Sequence, residues 1–272
     1  MSPVRIGAVL RAFVVRDFRI AVSYRTSFAL EIATNVFLLA LFYYLSRIVD
    51  DSEIASEAGL DSSYFAFAAI GLAVLRIVQV STASFSAKLR LEQTTGTFEA
   101  LMATPASPSL IILASACYEL IRATISGLLL LILAIVLFGL RLDVDPASVG
   151  AALLALVGLL GLFAALGVAV SAFTVVFKQT TALLGLITAG LALLGGVYFP
   201  VELLPEPVQA IADLLPFTWG LEVMRGALLG GEVEPWRLAA LFGSAALLLP
   251  VALLGFRASV DHARRNGSMS QY

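Results

Sequence analysis

Apolar residues gather along the chain into six runs parted by shorter polar breaks: Ser27 to Ser46, Tyr64 to Ala87, Pro108 to Leu140, Val149 to Phe177, Thr180 to Phe199 and Trp236 to Phe256. A helix needs about 20 mostly apolar residues to cross a hydrocarbon layer ~30 Å thick, and each run reaches that length. The pattern predicts an all-α integral membrane protein with six transmembrane helices in one domain over 27–256. Composition strengthens this reading, with 60% hydrophobic and 13% charged residues, where soluble domains carry about a quarter charged. Mean hydropathy is +0.97. Six spans place both termini on the same side of the bilayer.

The basic residues say which side. Cytoplasmic loops carry the excess of Lys and Arg, and with the N-terminus inside, Arg5, Arg11, Arg16, Arg19, Arg25, Lys88, Arg90, Lys178, Arg257, Arg264 and Arg265 all fall there. Only Arg47, Arg141, Arg225 and Arg237 fall outside, and Arg76 and Arg122 lie within spans. The expectation is a multi-pass protein of the plasma membrane with both termini cytoplasmic, ending in a basic tail over 257–272. The formal net charge of -2 gives no reason to expect nucleic acid as a partner. Residues 1–26 are broken by Arg every few positions and lack the continuous apolar core of a secretory signal. At helical period Ile6, Val9, Leu10, Phe13, Val14 and Ile20 share one face, with Arg5, Arg16 and Arg19 opposite and Asp17 breaking the apolar side. This is either an amphipathic helix lying in the interface or a basic tail that only sets orientation. The single cysteine, Cys117, allows no internal disulfide.

Several polar residues interrupt the runs. Pro108 to Leu140 is longer than the hydrocarbon layer requires, and a cytoplasmic overhang brings Glu119 and Arg122, an i, i+3 pair, to the inner boundary. That pair is read as a local ion pair or as a substrate contact. Arg76 lies about 18 Å down the second helix, with Gln79 one turn further, and an arginine at that depth faces protein or water. Glu31 or Asn35, on one helical stripe of the first span, is its predicted partner. These four residues either glue helices together or lie on a translocation path.

The stretch from Phe199 to Pro235 is too apolar for a solvated loop and too interrupted to span. Pro200, Pro205, Pro207 and Pro216 cut it, and proline is tolerated in the first turn of a helix but not within one. Two short helices are expected, near Glu206 to Leu215 and Phe217 to Leu229, the second ending on Gly230-Gly231. Non-helical backbone at membrane depth needs protein or a cavity around it. The stretch therefore reads as a re-entrant helical hairpin on the outer face, against an interfacial loop anchored by Trp219 and Trp236.

Between the second and third spans sits a polar island, Lys88 to Pro105, in which Phe98, Leu101 and Met102 fall at i, i+3 and i+4. Gly96 and Pro105 delimit a helix of about two turns, too short to be stable alone. It docks either on the end of a neighbouring span or on a separate protein. The pattern Glu92-x-x-x-Gly96-Thr97-x-Glu99-x-Leu101, ending in Thr104-Pro105, resembles the coupling segment of permease subunits of ABC-2 type transporters. Gly196-Val-Tyr-Phe-Pro-Val-Glu-Leu-Leu-Pro and Leu215-Pro-Phe-Thr-Trp-Gly-Leu-Glu-Val-Met-Arg225 are similar to that family's segment between its fifth and sixth helices. Family members often carry a second charge after the glutamate, where this chain has Gln93.

The resemblance implies an ATP-driven exporter of drugs, lipids or lipid-linked glycans, with a second permease copy, identical or related, and ATPase subunits docked on the cytoplasmic side. Glu92, Gly96, Thr97, Phe98, Glu99 and Leu101 would form the coupling surface. Phe199, Pro200, Glu202, Pro205, Pro216 and Arg225 would belong to an outer gate. Neither Lys88 nor Lys178 sits in a phosphate-binding loop, since no glycine pattern precedes it and no Ser or Thr follows it. The chain is expected to bind no cofactor, with ATP and Mg held by the partner ATPase. A secondary transporter would place helix breaks and ionisable groups near the midplane, and a membrane enzyme would need converging acid, base or metal ligands, whereas the only histidine is His262 in the tail.

Overall fold

The computed structural model describes Gly7, Arg11, Val14, Val15 and residues 25–49, 63–94, 108–177 and 181–265. Nearly all of the predicted interfacial helix, the acidic loop over 50–62 and the last seven residues of the tail lie outside the described residues.

Five described helices are long and apolar enough to cross a membrane. They are α1 (Arg25–Val49), α2 (Tyr64–Thr94), α3 (Pro108–Phe138), α4 (Pro146–Phe177) and α8 (Pro235–Arg265). Between α4 and α8 come the shorter α5 (Thr181–Leu194), a 3-10 turn over Val201–Leu203, α6 (Glu206–Ala212) and α7 (Pro216–Leu229). Asp145 starts α4: its Oδ1 accepts the Ser148 N–H at 2.6 Å, just ahead of Pro146 in the first turn. Those hydrogen bonds from Ser148 hold the Asp145 carboxyl below the usual carboxylate range.

The centre of the bundle is α2. Its apolar window, Tyr64–Ala83, is 89% buried, against 17% for α1 and for α8. Ala66, Ala68, Ala69 and Ala73 on α2 are all buried, and small side chains let neighbouring backbones come close where lipid offers no hydrophobic drive for association. Consecutive helices run antiparallel: Phe65 of α2 meets Phe138 of α3 with ring centroids 5.8 Å apart, while Arg76 Nε reaches Ser126 Oγ at 3.1 Å. On the far side, α4 and α8 run parallel, with Leu241 over Gly158 and Ala245 over Gly161.

Both α2 and α3, at 31 residues each, are longer than a crossing of the hydrocarbon layer requires. At ~1.5 Å per residue each is about 46 Å long, against a layer of ~30 Å. The polar island lies between the Thr94 end of α2 and the Pro108 end of α3. Glu92 is in the last turn of α2, whereas Gly96, Thr97, Phe98, Glu99 and Leu101 lie outside the described residues.

One predicted span differs. Among the described residues the run over 180–199 is helical from Thr181 to Leu194, about 21 Å of helix where a crossing needs ~30 Å. The helix stops where Val197 N–H turns back to Ala192 O and Gly196 takes φ 69°, a left-handed conformation that costs glycine nothing. The last helix runs the other way past expectation: α8 carries Pro250 within it and extends through Arg265, into the predicted tail.

Candidate functional site

Two polar constellations stand out within the apolar bundle. The first joins α1, α2 and α3. Arg76 Nη2 donates to Glu31 Oε1 at 3.0 Å and Arg76 Nε donates to Ser126 Oγ at 3.1 Å. Ser126 in turn donates to the same Glu31 oxygen, closing a three-way ring. Each ionised group is thereby paired, as charges within a hydrocarbon layer must be. Asn35, one turn along α1 from Glu31, is buried and its amide nitrogen finds no partner among the described residues. Gln79 is half-buried one turn beyond Arg76. On α3, Glu119 and Arg122 form the i, i+3 ion pair at 3.3 Å.

The second constellation is the segment after α5. The expected pair of short helices is present, as α6 over Glu206–Ala212 and α7 over Pro216–Leu229. The first is shorter than expected because the chain turns at Asp213. The Gln209 amide ties α6 to the preceding 3-10 turn, donating to Glu202 O and Leu204 O, each at 2.7 Å. Trp219 Nε1 donates to Asp213 O at 2.7 Å and ties α7 back to the end of α6. Proline opens α7, and Gly230, at φ 74°, closes it with its N–H on Gly226 O.

The position of α7 is set by its contacts with α4. Phe217 in its first turn meets the ring of Phe163 at 6.2 Å, Gly220 faces Leu159, and Leu228 O accepts the N–H of Asp143, just before α4. The two helices are therefore antiparallel. Phe163 lies about 26 Å along α4 from Pro146, close to the middle of that helix. So α7 begins at mid-depth of the bundle and rises to the end at which α2 begins.

Near that end Arg225 is the connecting residue. Its Nε donates to Phe67 O at 3.2 Å and its Nη2 to Val197 O at 3.1 Å, while the guanidinium carbon lies 3.4 Å from the centroid of the Phe67 ring. The carbonyl of Val197 is open to it because α5 has already ended. Gly71 makes room: a Cβ there would lie 2.6 Å from Val197 O and 2.7 Å from Arg225 Nη2. Beside it Tyr64 donates its hydroxyl to Tyr198 O at 2.8 Å, and Phe42 of α1 stacks on Tyr198 at 5.7 Å. The opposite flank of α7 is tied to α8, where Arg237 pairs with Glu222 and Glu234 and Trp236 meets Trp219 edge-on at 6.2 Å.

The gate residues expected from sequence thus occupy different places. Arg225 sits in the joint between α7, α2 and the chain after α5, Pro200 is buried, Phe199 and Pro216 are half-buried, and Glu202 and Pro205 are exposed. Sequence reasoning missed Ser126, Phe67, Val197 and the Glu222–Arg237 tie. A lone serine or a backbone carbonyl in an apolar run gives no signal; Glu222 and Arg237 could have been paired as opposite charges at the two edges of one loop. Among the described residues no cluster of three or more His, Cys, Asp or Glu is placed to hold a metal ion.

The sequence model of the family described as ABC-2 type transporter matches residues 5–229. No curated protein matches the chain.

Proposed function

Because the chain belongs to the ABC-2 type transporter family, we propose that it is the permease subunit of an ATP-driven exporter, forming the translocation path and taking its motion from separate nucleotide-binding subunits. The family makes it a membrane transporter component, not a catalytic enzyme. In this reading the Thr94 end of α2 faces the cytoplasm, the Tyr64 end faces outward, both termini are cytoplasmic and the membrane is the plasma membrane. The segment from Phe199 to Gly230 is then a re-entrant outer gate.

The observation that carries the reading is the course of α7, which starts beside Phe163 at mid-depth and rises outward along α4. A hairpin seated so deep plugs the bundle from outside, and its displacement would open a path. The cargo is an amphipathic molecule such as a drug, a lipid or a lipid-linked glycan. A second permease copy completes the path. Glu92, Gly96, Thr97, Phe98, Glu99 and Leu101 receive the ATPase, and the long helices α2 and α3 that flank the segment carry its movement into the membrane. Rigid-body movement of a docked short helix tilts the spans joined to it.

Charge reversal at the coupling segment tests this. In the complex isolated from native membranes through a tag on this chain, E92K/E99K should lower ATP hydrolysis and transport while circular dichroism keeps the helical content. Unchanged hydrolysis and transport in that variant would overturn the coupling role.

A further inference from the structure

Arg225 bonds to two chain segments at once, and one of them is the helix that runs without a break to the cytoplasmic island. The Tyr64–Thr94 helix is 31 residues long, about 46 Å of continuous rod. At its outer end Phe67 O accepts from Arg225 Nε, the Phe67 ring stacks on the guanidinium, and Gly71 leaves the gap through which Nη2 reaches Val197 O. At its inner end lies Glu92.

We propose that Arg225 is the positioning residue that fastens the outer hairpin to α2, so that movement delivered at the island reaches the hairpin through one rigid helix. The inference rests on the reading of the hairpin as the outer gate. Three features of the joint support it. The acceptors are backbone carbonyls, which cannot swing away as a side-chain partner can. A planar guanidinium fork serves both at once and stacks on the ring, a geometry that other cationic side chains reproduce only in part. The flank of α7 toward α8 is held differently, by the side-chain pair Glu222 and Arg237, which can part without disturbing a backbone. The hairpin is thus held to α2 through backbone acceptors and to α8 through side chains.

The test reads the hairpin from the island side. Cys117 is the only cysteine, so a C117S/E206C chain carries one thiol, at an exposed position where the first hairpin helix begins. Its rate of modification by a membrane-impermeant maleimide, read as a gel shift of this chain, is measured in the complex in vesicles before and after trapping with ATP and vanadate. With Arg225 present, trapping should change the rate. In R225Q the change should be lost, and in R225K it should be partly restored. G71A, which keeps the arginine but drives a methyl group between its Nη2 and Val197 O from the α2 side, should weaken the response as R225Q does, and serves where R225Q fails to assemble. A rate that never responds to trapping with Arg225 present would overturn the exporter reading and this inference together. A response in R225Q and G71A equal to that of the parent would overturn the role of Arg225 alone.

Discussion

Arg76 Nη2 lies 3.0 Å from Glu31 Oε1, joining α1 to α2 inside the apolar windows of both helices. Only 17% of the window of α1 is buried in the chain, and beyond this pair it is held mainly at its outer end, by Phe42 on Tyr198 and Tyr43 on Phe65 and Phe138. Removing one charge strands the other in hydrocarbon. Single R76A or E31A variants should therefore lose about 3 kcal/mol of stability in detergent. The double variant should lose less than the sum, and thermal unfolding would show it; strictly additive losses would mean that the pair does not hold α1.

Leu241 packs directly over Gly158 at the parallel contact of α4 with α8, where a Cβ on the glycine would lie 2.7 Å from Leu241 Cδ2. Overfilling that contact should cost about 1–3 kcal/mol. G158L should therefore lower the melting temperature. G190L should not, because a Cβ at that position on α5 would meet nothing within 4 Å. Equal melting temperatures would place α4 and α8 further apart.

Gly230 ends α7 at φ 74° against the carboxylate of Asp143. An alanine there incurs the left-handed penalty of about 1–2 kcal/mol and meets that side chain as well. G230A should speed hydrogen exchange at the last amides of α7 and leave α2 unaffected. Unaltered exchange would show that the cap does not fix the hairpin.

The orientation has its own test. In the C117S background, a cysteine at Glu234, just ahead of α8, should react with an impermeant reagent from outside intact cells. A cysteine at Arg265, at the far end of the same helix, should react only after the cells are opened. The reverse pattern would invert the chain and place the polar island outside.

How much of this was legible in the sequence follows from what each feature depends on. Long apolar runs announce α1 to α4 and α8, because a bilayer fixes the length of a crossing helix. Prolines at 205 and 216 and glycine at 230 announce the two hairpin helices, because each has a fixed place at a helix end. The early stop of α5 was signalled only by the Gly195-Gly196 pair, which reads as loosening the outer end of that helix: Leu191 to Phe199 otherwise stays apolar, while the left-handed turn at Gly196 and the fit of Phe217 against Gly195 end the helix. The partner of Arg76 could be narrowed to Glu31 or Asn35 by helical stripe alone. The acceptors of Arg225 could not be named, because they are carbonyls released by that same turn and by the first turn of α2.

The central claim is that this chain conducts and another chain hydrolyses. ATP hydrolysis by the purified permease alone, set against hydrolysis by the complex drawn from native membranes through a tag on it, tests that most directly. The complex should hydrolyse ATP, and the chain alone should not do so above background. Robust turnover by the isolated chain would contradict it.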